Sequence, residues 1–247
     1  MAGQHTSSKD KNGRPASPLA AAAQTDMARL RRLAQAVHRR LLRAFGEPDW
    51  GSPMEPIDEL VCTILSQNTS DTNRDRAYTA LRKRFPTWEK VRDAGPDEVI
   101  DVIRVGGLAN QKGPRIQTVL REISAERGDF DLEFLSDMPL EEARQWLTKF
   151  HGVGPKTAAI VLQFSLGRPA FPVDTHIYRV SGRIGLRPLK MSVEQAHIRL
   201  EKLFKPETYY AAHLNLIRLG RQVCHPRKPD CPRCPVRDVC EYEPKTK

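Results

Sequence analysis

No stretch of this chain approaches the roughly 18 apolar residues needed to span a bilayer, and its N-terminus lacks the basic-then-apolar order of a secretory signal. A soluble protein with a cytoplasmic location is expected. Sustained alternation of apolar and polar residues, the mark of a half-buried strand, is missing too, which favours an all-α fold. Cysteine is scarce, with five in 247 residues, and four of these crowd between Cys224 and Cys240. Because nothing marks the chain as secreted and a cytosolic setting keeps thiols reduced, disulfides are the weaker account of that cluster.

Positive charge, by contrast, is plentiful. The formal net charge is +10 and the pI about 9.6, which suggests an acidic partner without separating nucleic acid from a membrane surface or an acidic protein. From Arg168 to Lys247, 16 lysines and arginines stand against 8 acids, so the basic face is expected there. An apolar content of 39% suffices for a sizeable core, and the length suits one or two domains.

Residues 1–24 carry Ser, Lys, Gly, Pro and an alanine run with too few large apolar groups to pack, and read as a disordered basic tail. From Thr25 the character changes. Met27, Leu30, Leu33, Ala34, Val37, Leu41, Leu42 and Phe45 form one helical stripe that Gly46 stops. After a link from Pro48 to Pro56, short helices cut by Pro and Gly are predicted over about 56–66, 70–84, 87–94, 96–105 and 112–127.

Chemistry concentrates in Phe150-His151-Gly152-Val153-Gly154-Pro155-Lys156-Thr157-Ala158 and the nearby Val173-Asp174-Thr175-His176-Ile177. Leu140, Ala143, Leu147 and Phe150 lie at helical spacing, and Pro155 sits where a new helix would take its first residue. The Gly152-Val153-Gly154 turn therefore reads as a helix-hairpin-helix connection whose uncovered amides can hold a phosphate oxygen. Lys156 falls in the first turn of the second helix, where a cation opposes the helix dipole. Burial and dipole both push such an amine toward its neutral, nucleophilic form. The plainer accounts are a solvated lysine lying on a phosphate and, for Asp174, a helix N-cap before Ile177, Val180 and Ile184.

Two joints upstream carry polar or exposed side chains. Ser66-Gln67-Asn68-Thr69-Ser70-Asp71 ends an apolar helix, as a terminus followed by a new N-cap would. Gly106-Gly107-Leu108-Ala109-Asn110 exposes one leucine after two glycines, or folds it inward as an ordinary turn. At the C-terminus, Cys224, Cys231, Cys234 and Cys240 have C-x6-C-x2-C-x5-C spacing, which means a metal or cluster site. Spacing alone leaves zinc and iron-sulfur at parity. Cys62 reads as a small core residue. His225 to Asp230 form a basic loop, stiffened by two prolines, between the first two cysteines.

Taken together, Gly-Val-Gly-Pro-Lys-Thr-Ala, Val-Asp-Thr-His and the four-cysteine spacing resemble the endonuclease III family of DNA glycosylases, within the helix-hairpin-helix glycosylase superfamily, over roughly residues 27–243. The resemblance implies a six-helix barrel over 49–168 and an iron-sulfur cluster domain built from 25–48 and 169–247, with the active site in the cleft between them. It implies Lys156 as the nucleophile that attacks the sugar C1′, Asp174 as the carboxylate assisting base loss, and one four-iron, four-sulfur cluster on Cys224, Cys231, Cys234 and Cys240. DNA-binding positions by the same resemblance are Gln67 or Asn68, filling the hole left by the flipped base, Leu108 as an apolar wedge, and Lys112 on a phosphate. The hairpin residues Gly152, Val153, Gly154 and Thr157 are further expected contacts, as are His176 and the cluster-loop residues Arg227 and Lys228. Phe150-His151 stands where Leu-Pro is usual, and Pro155 occupies a position often basic.

The expected protein is a monomeric bifunctional glycosylase and abasic-site lyase of base excision repair. It would excise oxidised pyrimidines from double-stranded DNA, nick abasic sites by β-elimination, work in the cytoplasm on the nucleoid, and bind no membrane. Alternatives are a mismatch-directed adenine or thymine glycosylase of the same superfamily, and a non-catalytic DNA-binding module.

Overall fold

In the computed structural model, residues 18–246 are described, with side chains from residue 24 onward. Among them there is no strand, and no helix is long and apolar enough to cross a membrane. The chain divides into two compact units, Pro48–Thr175 and Met1–Glu47 with His176–Lys247. The division falls after Thr175 and not at 168.

In the Pro48–Thr175 unit, helix α2 (Pro56–Ser66) is the centre. Pro56, Ile57 and every residue from Leu60 to Leu65 are buried, so this helix is apolar nearly all round and must be wrapped by others. Helices α3 (Asp71–Arg84), α6 (Ala109–Arg127) and α8 (Pro155–Ile160) pack on it, while α4 (Trp88–Asp93), α5 (Pro96–Ile103) and α7 (Leu140–Thr148) complete one continuous core. Local chemistry sets the boundaries: Ser70 caps α3 by accepting the Asn73 amide at 3.3 Å, and prolines open α2, α5 and α8 at positions that need no donor. Gln117 donates to the carbonyls of Val91 (3.0 Å) and Ala94 (2.8 Å), pinning the end of α4 to α6.

The other unit is built on α1 (Pro18–Phe45), with Leu30, Ala34, Val37 and Leu41 buried at helical spacing against α10 (Val193–Leu203) and α11 (Tyr209–Gln222). Gly46, at φ +77°, ends α1 as its sequence predicts, and Asn215 and Arg218 satisfy the last carbonyls, Gly46 and Phe45, at 3.0 and 3.1 Å. Helix α9 (Thr175–Ile184) leads into this unit. Of the expected N-terminal tail, residues 1–17 lie outside the described residues. From Pro18 the chain is helical, because the alanine run has the highest helix propensity and extends α1.

Candidate active site and DNA interface

Helix α7 ends at Thr148, Phe150 buries itself edge-on against Trp146, and the chain turns through Gly152 at φ +85° into α8. A Cβ at Gly152 would collide with the Arg115 side chain, so only glycine fits that position. Gly154 is extended (φ −93°, ψ 179°), and its carbonyl accepts the Ala158 amide at 3.0 Å, which starts α8 on Pro155 and sets Lys156 in its first turn.

Lys156 is only partly exposed. Burial, the largest influence, pushes its amine below the ordinary lysine range, and the neighbouring carboxylate of Asp174 pulls the other way. Arg74 adds repulsion that favours the neutral amine, while Glu59 and Asp71 oppose it. Glu59 is itself raised, chiefly by burial, against the lowering effects of a hydrogen bond from Thr63 (3.1 Å) and of the nearby Arg74 and Lys156 charges. One poorly solvated pocket thus disfavours charge on both amine and carboxyl. Lys156 and Asp174 belong to the same unit, which corrects the expectation that they come from different domains. Sequence reasoning missed Glu59 and Arg74; a carboxylate within the apolar run of α2 was the available signal.

The HhH-GPD superfamily of base excision DNA repair proteins matches residues 61–206, from α2 through the hairpin, Lys156 and Asp174. The chain belongs to that superfamily. Among its relatives, endonuclease III of Thermotoga maritima is 30% identical over 210 residues, covering 85% of this chain and 91% of that protein. A protein of Arabidopsis thaliana named for a DNA glycosylase is 35% identical over 165 residues, and these span 67% of this chain and 56% of the relative. A solved structure of endonuclease III trapped as a covalent intermediate with DNA superposes with a TM-score of 0.74 at 26% identity, over 85% of this chain and 95% of that one. This is an endonuclease III-like DNA glycosylase.

On this glycosylase frame the expected DNA-contact residues separate into groups. Asn68 and Leu108 are exposed, both with left-handed backbone (φ +51° and +50°), and Leu108 keeps 46% of its surface open. Leu108 therefore does not fold inward. Gln67 is spoken for: it donates to the Gly152 carbonyl at 3.2 Å and accepts from Arg115 at 2.7 Å. Lys112 does not reach out to a phosphate, as was expected of it. It is 2% exposed and donates to the carbonyls of Leu65 (2.7 Å) and Gly106 (2.8 Å), because these carbonyls end their helical segments without other partners close by and an ammonium satisfies both. Burial pushes its pKa down.

In the hairpin, Val153 is buried and its amide donates to Phe150 at 3.0 Å, so neither its side chain nor its amide is presented outward. Thr157 buries its side chain as well. What the turn can offer an oxyanion comes down to backbone around Gly152, Gly154 and the first amides of α8.

In the other unit, His176 sits against Gly220, and its Nδ1 pairs with Arg179 at 3.2 Å. Arg179 also donates to the carbonyls of Gly220 (2.9 Å) and Cys224 (3.0 Å). Arg183 clamps the start of the cysteine loop through Cys224 Sγ (3.4 Å) and the carbonyls of His225 (2.6 Å) and Pro226 (2.7 Å). Neither arginine was picked out from sequence. Arg227 and Lys228 are exposed at the loop tip. Cys224, Cys231, Cys234 and Cys240 are all partly buried neighbours. Burial, against a hydrogen bond with the Val236 backbone and with smaller pushes from the other three sulfurs, raises the Cys234 thiol to about 11, and burial likewise raises Cys240. Among the described residues, no three His, Cys, Asp or Glu side chains are arranged to hold a metal ion. Cys62 is a buried core residue, its thiol pushed up to about 11 chiefly by burial.

Proposed function

We propose that this glycosylase is bifunctional, removing an oxidised pyrimidine from double-stranded DNA and cutting the abasic strand. The observation that carries the reading is Lys156, a poorly solvated amine beside a carboxylate at the mouth of a glycine turn. A neutral amine has a lone pair for C1′ of an extruded nucleotide. As its nitrogen bonds to C1′, the glycosidic bond breaks and its electron pair leaves with the base, which takes up a proton. The Asp174 carboxylate stabilises the positive charge that develops on the sugar. Opening of the sugar ring then gives an iminium on Lys156 with a hydroxyl at C4′. Loss of a C2′ proton forms the C2′–C3′ double bond and expels the 3′ phosphate.

The relatives named as endonuclease III, and the covalent DNA intermediate solved for an endonuclease III, support this assignment. To test it, the purified protein is incubated with a panel of duplexes carrying oxidised pyrimidines, then treated with borohydride. A covalent protein-DNA adduct on those duplexes, and strand cleavage without borohydride, are the expected results. Base loss with no adduct on any duplex would point to a monofunctional glycosylase.

The four C-terminal cysteines are proposed to hold a four-iron, four-sulfur cluster, as their spacing and resemblance imply. Their donor chemistry fits. Four thiols lie together at the C-terminus, and the Arg183 guanidinium against Cys224 Sγ suits a thiolate. When bound, the cluster would pin the loop that carries Arg227 and Lys228, and no step above passes through it. Elemental analysis of the purified protein should give about four iron per chain. One equivalent of zinc with no iron would reverse the assignment.

A further inference from the structure

Three loops of the Pro48–Thr175 unit meet at the start of α6, and two cations one turn apart on that helix hold them. The ammonium of Lys112 donates to Leu65 at the end of α2 (2.7 Å) and to Gly106 (2.8 Å), so it bridges the joint bearing Asn68 to the joint bearing Leu108. Arg115 donates from Nη1 to Gln67 Oε1 (2.7 Å), and the Gln67 amide donates onward to the Gly152 carbonyl (3.2 Å). The Arg115 side chain also lies where a Cβ of Gly152 would be. That relay ties the Asn68 joint to the hairpin turn.

What the two joints present is unusual backbone. Asn68 and Leu108 both take left-handed φ, which a non-glycine residue keeps only when its surroundings over-determine it. The two cations bond to residues within three positions of each, Leu65 and Gln67 before Asn68 and Gly106 before Leu108, and Lys112 does so from inside the protein.

We infer that Lys112 and Arg115 are positioning residues, a bracket on α6 that presets the spacing of the exposed Asn68 and Leu108 side chains and their register on the hairpin turn before DNA arrives. The inference rests on the reading of the protein as a base-extruding glycosylase. Loops already held in place lose little freedom when a nucleotide leaves the stack, so more of the contact energy reaches the extruded state. With Gln67 committed to the relay, Asn68 is the side chain left to enter the duplex.

The test uses Arg115→Met, which keeps the stem, removes the guanidinium and alters a residue that is only half-buried. Hydrogen exchange of the free, full-length protein should speed up by about tenfold or more at the 67–69 and 150–153 amides, with other regions unchanged. On a duplex with 2-aminopurine opposite an oxidised pyrimidine, single-turnover excision should slow by about tenfold and the fluorescence rise should weaken. The salt dependence of undamaged-duplex binding should stay the same. The double variant Gln67→Ala with Arg115→Met should be no slower than the worse single one, since both break one relay. Unchanged exchange in the two loops overturns the bracket, as do additive losses in the double variant. A salt slope lower by about one unit also overturns it, because Arg115 would then be a phosphate contact. If wild type excises none of the damaged bases, the enzymatic reading fails while the exchange measurement still decides the bracket.

Discussion

Replacing Lys156 with glutamine should abolish the borohydride-trappable adduct and strand cleavage while leaving duplex binding nearly intact. Glutamine keeps a similar reach and a polar end but has no basic lone pair, so C1′ loses its nucleophile. The phosphate-gripping backbone around Gly152 and Gly154 is untouched, and binding should survive. Strand cleavage that persists in this variant would remove Lys156 from its assigned role. The wild-type pH profile is a second check. Burial lowers the Lys156 pKa, and the neutral amine is the reactive form, so kcat/KM should rise with pH and level off below the ordinary lysine value of about 10.4. Arg74 repels the ammonium, so Arg74→Gln should move that rising limb to higher pH.

Asp174→Asn should slow base excision by roughly 100-fold or more, the scale of losing one charge stabiliser in the transition state. Its effect on the amine has the opposite sense. Asp174 raises the Lys156 pKa, so removing its charge leaves the amine more readily neutral, and the rising limb should move to lower pH. A slow variant with a downshifted limb therefore cannot owe its loss to a protonated nucleophile. An Asp174→Asn protein that excises at the wild-type rate would leave the carboxylate with no part in base loss. Cleavage of a preformed abasic site should suffer less than excision, because no base has to depart.

Helices were legible wherever a single local rule was strong. The apolar α2 run, the Ser70 cap and the Leu30-Ala34-Val37-Leu41 stripe each declare themselves within a few residues. Helix α6 starts at Ala109, earlier than the expected 112, because Gly113 and Pro114 disguise its first turns, whose Lys112 and Arg115 side chains tie it to neighbouring segments. Helices α10 and α11 were not picked out at all. The first opens with a Ser192–Gln195 capping box that was available to read, whereas α11 buries polar His213 and Asn215 against its own unit and so blurs the apolar stripe.

By itself the sequence determined the all-α class, the glycine turn that delivers Lys156, the nearby Asp174 and the four-cysteine spacing. All of these depend on residues close along the chain, where backbone preference and helical period act directly. Tertiary structure alone decided that Lys112 is an internal strut, that Gln67 braces the hairpin while Asn68 stands free in the solvent, and that burial and Arg74 push Lys156 toward the neutral amine against the opposing charges of Asp174 and Glu59. Burial and electric fields act through space, and a lysine's charge state is set by whichever distant segments fold around it.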